Sequence, residues 1–370
     1  MSIRTPGEHG GRPTSSPTVT ARGIRKAPTL TTRSLRTTAV RCALAAALAT
    51  ACLIGTGSTA TAAPEAAAVV SVEQVNDRQQ LVSVFSPAMN RPIQLQVIRA
   101  ADSSRPHPTL YLLNGSQGGP AGSGWDVQTD AVDFLRGKDI NVVTPFGGAS
   151  SYYTDWVRDD AALGRNKWQT FLNEELPPVI EEFLGADGNR SLAGVSMSGT
   201  SVLNLAIAKP GFWKGVASYS GCAQTSDPIG QEFVRITVEN WGGGQSVENM
   251  WGPRNGPLWR ANDPLVNADR LRGTAIYLST GSGIPAAPHD TPADKRVQEG
   301  RIPLPVQIAF GGPIEAAIQH CTMNLTNRLR ELNIPVTLHD RPVGTHSWGY
   351  WEDDLHHSWP FLAGSLGVPA

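Results

Sequence analysis

The chain has 370 residues, of which 40% are hydrophobic, and its formal net charge is −1. This length and apolar content can supply one large buried core and do not require a second domain. The charge is uneven, because residues 1–63 carry eight basic side chains against one acid and leave the remainder at about −8. A body that acidic, with no basic run, argues against nucleic acid as a partner.

The first predicted element is an export leader over residues 1–63. A basic stretch precedes an apolar, alanine-rich run at 42–55, and small residues then lead to Ala63 and Pro64. This order is typical of a signal peptide with its cleavage site, and the apolar run is short for a bilayer span. We therefore expect a mature form that begins near Ala63 or Pro64, has no integral membrane span and is secreted or held in the cell envelope. A single amphipathic anchor is the alternative.

Strand and helix patterns alternate along residues 64–370, which we interpret as one catalytic domain. Strands are predicted at 81–86 and 92–99, as an antiparallel pair, and then at 109–113, 140–145, 191–195, 215–220, 275–280 and 336–339. Helices are predicted at 125–136, 168–184, 197–208, 314–332 and 352–366. This alternation indicates an α/β protein with a mostly parallel central sheet flanked by helices. The Gly-, Pro- and Trp-rich residues 224–270 predict an insertion over the carboxyl edge of the sheet, where such folds bind substrates.

A candidate nucleophile lies in the sequence GVSMSG at 194–199, between a predicted strand and a predicted helix. Ser196 would occupy a sharp turn at the end of the strand, with its hydroxyl exposed and the next N–H pointing inward. The usual pattern is G-x-S-x-G, and Ser198 stands where the second glycine is expected. Because the segment joins a buried strand to a helix, we predict Ser196 as the nucleophile despite this imperfect match.

The candidate general base is His346, in the sequence GTHSW between the last predicted strand and the last predicted helix. Nucleophile, acid and base follow one another in this order in the α/β-hydrolase fold, which we therefore predict. Two carboxylates could be the acid. Asp290 follows the 275–280 strand by one loop, the generic position, and Glu315 opens the 314–332 helix. Spacing slightly favours Asp290, although its Pro-rich loop is expected to be open to water.

Removal of the leader leaves two cysteines, Cys222 and Cys321. In an exported protein they could form one disulfide or remain as two buried thiols, and the residues alone favour neither. The sequence shows no metal-ligand cluster and no Gly-rich phosphate loop. We therefore expect neither a metal nor another cofactor.

The mature chain resembles the mycolyltransferases of the mycobacterial antigen 85 complex and their corynebacterial relatives over nearly all of residues 75–368. The most specific stretches are 111–126, 145–156 (PFGGASSYYTDW), 167–176 (KWQTFLNEEL), 194–199, 250–264 (MWGPRNGPLWRANDP) and 344–351 (GTHSWGYW). A serine at position 198 is ordinary in this family.

The resemblance implies a Ser–Glu–His triad whose glutamate opens the helix before the last strand. That position is Glu315, and Asp290 becomes the alternate acid. The resemblance also implies an oxyanion hole built from the backbone N–H groups of Met197 and Ser116, donors that stabilise an acyl-transfer transition state. It further implies a disulfide between the two mature cysteines, as in some corynebacterial relatives.

The implied function is transfer of a long, mycolyl-type acyl group from a trehalose ester to a cell-wall sugar, through an acyl-enzyme. The expected partners are thus trehalose mycolates or related glycolipids. A secreted carboxylesterase of the same fold is the alternative. A third possibility is a binding protein for glycans or matrix, since the family has members without the triad.

The sequence departs from the trehalose-transferring enzymes beside the predicted oxyanion hole. Their acid-Gly-Leu-Arg run is replaced by Asn114, Gly115, Ser116 and Gln117. Asn114 and Gln117 keep hydrogen-bonding groups but lose the charges, and charged hydrogen bonds are about twice as strong. We predict these two residues as sugar contacts. Beside His346, Ser347 and Trp348 are further candidates for substrate contact, and Trp125 and Trp251 for the lining of the channel.

Overall fold

The computed structural model describes residues 66–119, 123–240 and 246–370. The predicted leader lies outside the described residues, so its export role and cleavage site stay predictions. Within the described part of the chain, no helix is both long enough and apolar enough to cross a membrane.

A mixed sheet of nine strands forms the centre of the fold. Its order is β1-β2-β3-β5-β4-β6-β7-β8-β9. The strands are β1 Ala68–Gln74, β2 Gln79–Ser86, β3 Arg91–Ile98, β4 Thr109–Leu113, β5 Asn141–Pro145, β6 Arg190–Val195, β7 Gly215–Tyr219, β8 Ala275–Gly281 and β9 Thr337–Arg341. Pairing is antiparallel from β1 through β3 to β5, and parallel among β5, β4, β6, β7, β8 and β9. The predicted antiparallel pair and parallel sheet are therefore confirmed.

Twelve α-helical segments accompany the described sheet. They are α1 Trp125–Gln128, α2 Ala131–Arg136, α3 Trp168–Thr170, α4 Leu176–Leu184, α5 Met197–Ala208, α6 Pro228–Arg235, α7 Val247–Trp251, α8 Pro257–Ala261, α9 Lys295–Gln298, α10 Leu304–Val306, α11 Gly312–Glu331 and α12 Trp348–Leu366. Three π-helical turns, Phe171–Glu175, Ile236–Asn240 and Gln307–Gly311, join or extend some of them.

Two helix predictions differ from the structure. The predicted helix 125–136 is interrupted at Thr129, whose backbone is extended and whose hydroxyl accepts from the Ala131 N–H in place of a helical carbonyl. The last helix begins at Trp348, four residues before its predicted start. Trp348 and Trp351, in its first turn, are buried against the sheet. The apolar face of the helix therefore begins before Glu352, the charged residue at which the helix was predicted to start.

Alternate side chains of each central strand pack on opposite faces of the sheet. Tyr111 and Leu113 of β4 join a core that includes residues of α4, α5 and α11. Leu110 and Leu112 join a second core, which includes residues of α1, α2 and α12. All five residues of β4 are buried, as expected for a strand covered on both faces. The architecture is that of an α/β hydrolase, with helices on both sides of the sheet.

The segment 224–270 lies over the carboxyl edge of the sheet, as predicted. Its described residues form α6, the π-helical turn Ile236–Asn240, α7, α8 and a 3₁₀ turn, with no strand. The Met250 carbonyl accepts from the Val157 N–H at 3.2 Å, and the Trp251 indole donates to the Thr154 hydroxyl at 3.3 Å. These contacts fix the insertion to the loop that follows β5.

Candidate active site

Ser196 occupies the turn between β6 and α5. Its backbone angles are φ 57° and ψ −122°, a conformation that a residue with a side chain adopts only under strain. The Ser196 N–H donates to the Tyr219 carbonyl at 2.8 Å, which fixes the turn to the end of the neighbouring strand. Met197 is the first residue of α5, so its N–H has no partner within the helix.

Small residues around Ser196 are required by close backbone contacts. A Cβ atom on Gly194 would lie 2.6 Å from the Ser198 carbonyl oxygen, and one on Gly199 would lie 2.9 Å from the Tyr219 carbonyl oxygen. Ser198 is fully buried, and its hydroxyl accepts from the Val195 N–H at 2.8 Å. The serine that breaks the G-x-S-x-G pattern therefore braces the turn from inside.

Ser196, His346 and Glu315 form a continuous hydrogen-bonded chain. The Ser196 Oγ lies 2.8 Å from His346 Nε2, and His346 Nδ1 lies 2.8 Å from Glu315 Oε2. Because a carboxylate only accepts, this geometry assigns the imidazole proton to Nδ1 and leaves Nε2 free to accept from the serine hydroxyl. The His346 N–H also donates to the Gly311 carbonyl at 3.1 Å.

Glu315 is fully buried, and its second oxygen is held by donors from several elements. Oε1 accepts from the Ser220 hydroxyl at 2.7 Å and from the Gly281 N–H at 2.7 Å. Arg341 adds a cation 3.4 Å from the same oxygen and also pairs with buried Asp354. Burial alone would lower the pKa of Arg341, but the charges of Asp354 and Glu315 raise it above its ordinary value. Arg341 therefore remains charged.

The imidazole is also held from the side by an aromatic ring. Trp351 meets His346 edge-on, with ring centres 4.8 Å apart and planes at 83°. The Trp351 indole N–H in turn donates to the Ser220 hydroxyl at 3.1 Å. Ser220 thus connects the residue that packs on the histidine with the residue that hydrogen-bonds to it.

Four of these supporting residues were not predicted from the sequence: Ser220, Arg341, Trp351 and Asp354. Ser220 follows the last residue of β7 and has a positive φ of 49°, which no local motif indicates. Arg341 ends β9 and lies 26 residues from Glu315 along the chain. Only the fold brings these side chains together, so sequence spacing carried no signal for them.

Asp290, the alternate acid, is not the carboxylate bonded to His346. It accepts from the hydroxyls of Thr345 at 2.6 Å and Tyr350 at 2.7 Å, while Glu315 occupies His346 Nδ1. Its loop is largely open to water, as expected, because Ile284, Pro285 and Pro288 are exposed, but Asp290 itself is only 7% exposed. The Asp290 side chain turns inward, where its carboxylate accepts from these two hydroxyls.

The loop after β4 passes directly beside the nucleophile. A Cβ placed on Gly115 would lie 3.9 Å from the Ser196 Cβ, and Gly115 precedes the predicted donor Ser116. The Ser116 carbonyl accepts from the Ser150 N–H at 2.8 Å, which ties this loop to the one after β5. Ser116 and Met197 therefore lie on the two backbone segments that flank Ser196.

The predicted disulfide is present between Cys222 and Cys321, with their Cα atoms 5.1 Å apart. It connects the loop after β7 to α11. Since α11 also carries Glu315, six residues before Cys321, the bond fixes this helix close to the end of β7. Within the described residues, no group of three or more His, Cys, Asp or Glu side chains could hold a metal ion.

Comparison with known proteins identifies the family. The family model described as "Putative esterase" matches residues 86–362. The diacylglycerol acyltransferase/mycolyltransferase Ag85A of Mycobacterium leprae is 33% identical over 295 residues, which cover 78% of this chain and 84% of that protein. Ag85A of Mycobacterium tuberculosis is 31% identical over 332 residues, covering 88% and 90%. The chain belongs to the antigen 85 esterase family.

Solved structures agree with this placement in the antigen 85 family. The Mycobacterium tuberculosis protein MPT51 matches with a TM-score of 0.62 and 26% identity, over 76% of this chain and 96% of that one. An S-formylglutathione hydrolase from Agrobacterium tumefaciens matches with a TM-score of 0.57 and 16% identity, over 81% and 99%. The second similarity concerns the fold alone. The resemblance and the α/β-hydrolase fold predicted from the sequence are confirmed.

The side chains predicted to contact substrate in this antigen 85 relative are mostly buried. Asn114 is inaccessible, because its amide donates to the Pro145 carbonyl at 3.1 Å and its carbonyl accepts from the Trp125 N–H at 3.2 Å. In this conformation it supports the loop after β4, and its assignment as a sugar contact stays a prediction. Gln117, by contrast, is exposed.

The aromatic candidates belong mainly to the core. Trp125 and Trp251 are each 1% exposed, so they do not line an open channel. Trp348 is 8% exposed and packs edge-on against Trp125, with ring centres 5.3 Å apart. Ser347 is 2% exposed and precedes the first residue of α12. In this conformation, Gln117 is the predicted sugar contact whose side chain reaches the surface.

Proposed function

We propose that the protein is a secreted serine acyltransferase that works through an acyl-enzyme on Ser196. The observation that carries this proposal is the chain of 2.8 Å hydrogen bonds from Ser196 through His346 to Glu315, at a strained turn between strand and helix. A serine hydroxyl needs an adjacent base that is itself oriented by a third group in order to become a nucleophile. Relatives named as acyltransferases and esterases support the same chemistry.

In the first half-reaction, Ser196 Oγ attacks the carbonyl carbon of the donor ester while His346 Nε2 accepts its proton. The oxyanion of the tetrahedral intermediate accepts hydrogen bonds from the N–H groups of Met197 and Ser116. Glu315 accepts from His346 Nδ1 and stabilises the imidazolium. The carbon–oxygen bond to the leaving sugar then breaks, and His346 returns the proton to the departing oxygen, leaving the acyl group on Ser196.

The second half-reaction uses the same groups in reverse order. The hydroxyl of an acceptor sugar loses its proton to His346 Nε2 and attacks the acyl carbon. The Ser196–acyl bond breaks, and the proton passes to Ser196 Oγ, which restores the enzyme. Water can enter the same intermediate, and the product is then a free acid as in a carboxylesterase.

The proposed donor is a trehalose ester of a long, mycolyl-type acid, and the acceptor is a sugar of the cell envelope. The support is the name mycolyltransferase borne by relatives that match 78–88% of the chain. The leader at 1–63 supports export, with a mature protein that begins near Ala63 or Pro64. Gln117, exposed beside the proposed oxyanion hole, is the residue we assign to sugar contact.

The test is incubation of the mature protein with a trehalose monoester, with the diester and the free acid both quantified. We expect diester as the main product, and loss of both products in Ser196→Ala with unchanged folding. Free acid as the main product would instead identify a carboxylesterase. Full activity in Ser196→Ala would overturn the mechanism. Binding of glycans by a protein inactive in all forms would indicate the non-catalytic alternative.

A further inference from the structure

We propose that Asp290 is a positioning residue that fixes the backbone of His346 through Thr345, Tyr350 and Gln307. The inference rests on the proposed function, because it takes His346 as the general base. Asp290 follows β8 at the position where the generic fold places the catalytic acid, yet its hydrogen bonds run to the residues that surround the histidine. It would thus support the triad from outside.

Four donors from separate parts of the chain converge on the Asp290 carboxylate. Oδ1 accepts from Gln307 Nε2 at 2.7 Å and from the Thr345 hydroxyl at 2.6 Å. Oδ2 accepts from the Tyr350 hydroxyl at 2.7 Å and from the Ala286 N–H at 3.0 Å. Each partner donates, so a carboxylate with two acceptor oxygens matches the site and an amide does not.

These partners bracket His346 along the chain and in space. Thr345 is its direct neighbour and is fully buried, and Tyr350 lies in the first turn of α12. Gln307 opens the π-helical turn that ends at Gly311, whose carbonyl accepts from the His346 N–H at 3.1 Å. Asp290 therefore holds both the residue before the histidine and the turn that anchors its backbone.

Backbone hydrogen bonds also hold the start of the loop that carries Asp290 against Gly344, two residues before His346. The Gly344 N–H donates to the Ile284 carbonyl at 2.8 Å, and the Gly283 N–H donates to the Gly344 carbonyl at 2.9 Å. Gly344 has a φ of 116°, so the chain turns sharply just before Thr345. The hydroxyl of Thr345 donates to Asp290, which adds an anchor directly before His346 to those that Gly311 and Glu315 supply.

Tyr350 can act as a lasting donor. Its burial first, and then its hydrogen bond to Asp290 and the charge of that carboxylate, raise the pKa of the phenol far above its ordinary value. The hydroxyl therefore keeps its proton over the pH range in which such an enzyme works. Without Asp290 the two hydroxyls would be left with more distant acceptors, the Ala286 carbonyl at 3.1 Å from Tyr350 and the Ser347 hydroxyl at 3.4 Å from Thr345.

The experiment compares substitutions that remove one hydrogen bond at a time. Thr345→Val removes the hydroxyl at nearly constant shape, and Thr345→Ser keeps it. Asp290→Asn turns one acceptor oxygen into a donor. Asp353→Asn, at an exposed carboxylate that bonds to His289, is the matched control. Ser196→Ala is run in parallel.

Each variant is measured with a short, soluble p-nitrophenyl ester, for kcat and KM separately, and for its rate of labelling by a fluorophosphonate. Thermal unfolding gives the folded fraction. A misplacement of reacting groups by about 1 Å can cost about 100-fold in rate. We expect a loss of kcat of about tenfold in Thr345→Val and up to about 100-fold in Asp290→Asn, with KM nearly unchanged. Thr345→Ser and Asp353→Asn should retain the wild-type kcat.

The outcomes separate the inference from the proposed function. If Ser196→Ala is inactive while folded Thr345→Val keeps the wild-type kcat, Asp290 does not position His346 and the inference is wrong. The same holds if Asp290→Asn loses activity only in proportion to its unfolded fraction. Full activity in Ser196→Ala would refute the proposed function, and this inference with it.

Discussion

Replacing Glu315 by glutamine tests the assignment of the acid without changing the size of the side chain. Three of the groups at Oε1 are hydrogen-bond donors at 2.7–3.3 Å: the Ser220 hydroxyl, the Thr280 hydroxyl and the Gly281 N–H. Arg341 lies beside the same oxygen. A glutamine would therefore place its carbonyl oxygen there and its NH₂ group against His346 Nδ1.

That orientation changes the tautomer of His346. Facing an NH₂ donor, Nδ1 must accept, so the imidazole proton moves to Nε2 and the ring can no longer take the proton of Ser196. The same change of tautomer costs about 10⁴-fold in kcat in a well-studied triad protease. This corresponds to about 5.4 kcal/mol of transition-state stabilisation, at about 1.36 kcal/mol per factor of ten. We expect a loss of that order here.

The assay is the steady-state hydrolysis of a short p-nitrophenyl ester, with thermal unfolding as the check on folding. Glu331→Gln, on the exposed end of the same helix, is the matched control and should keep the wild-type kcat. If folded Glu315→Gln retained more than about a tenth of the wild-type kcat, a loss of only about 1.4 kcal/mol, Glu315 would not orient the base. A large loss in Asp290→Asn with little effect of Glu315→Gln would move the acid to the generic position.

Three further predictions follow from the structure. Replacing both Cys222 and Cys321 by serine should lower the free energy of unfolding by up to about 4–5 kcal/mol, because the disulfide closes a loop with a sequence separation of 99; urea unfolding measures this. Arg341→Met should cost about 3–5 kcal/mol of stability, since two buried carboxylates lose their cation. Burial lowers the pKa of His289, but its hydrogen bond to Asp353 and the charge of that carboxylate outweigh it and raise the pKa. The contribution of protonated His289 to the free energy of unfolding is therefore complete below the unfolded pKa of about 6.5. It is lost as the pH rises through the higher pKa of the folded state.

Each of these predictions has a contradicting result. Equal unfolding midpoints for the wild type and the serine double variant would show that the disulfide contributes nothing. An Arg341→Met protein as stable as the wild type would mean that the buried carboxylates find other partners. For His289, the difference in Tm between wild type and His289→Gln should shrink from pH 6 to pH 9. A difference that grew over this range would reverse the sign of the linkage.

The strands and the order of the candidate catalytic residues could be predicted because they depend on local signals. Buried β4 is a continuous apolar run, and Ser196 and His346 each follow a strand at the expected place. The edge strand β1 was missed: it pairs on one side only, and its valines do not mark a buried face, since Val70 and Val72 are each 46% exposed.

The residues that hold the catalytic side chains in place could not be predicted, because their contacts join segments that are far apart in the sequence. Asp290 reaches Tyr350 across 60 residues, and Ser220 reaches Glu315 across 95. A Pro-rich loop indicates exposure, which holds for Ile284 and Pro285, and only the buried hydroxyls that Asp290 meets explain why its own side chain is buried. Likewise, Asn114 was predicted to contact sugar, but the polar groups of its side chain are used by the backbone around it.

The most direct test of the account is to identify the acylated residue. The mature protein is incubated with a trehalose monoester, quenched in acid, digested and analysed by mass spectrometry for a peptide carrying the acyl mass. We predict one modified site, Ser196, and no adduct in Ser196→Ala or after mild base, which cleaves the ester. An adduct on Ser198, or product formation by Ser196→Ala at the wild-type rate, would contradict the assignment of the nucleophile.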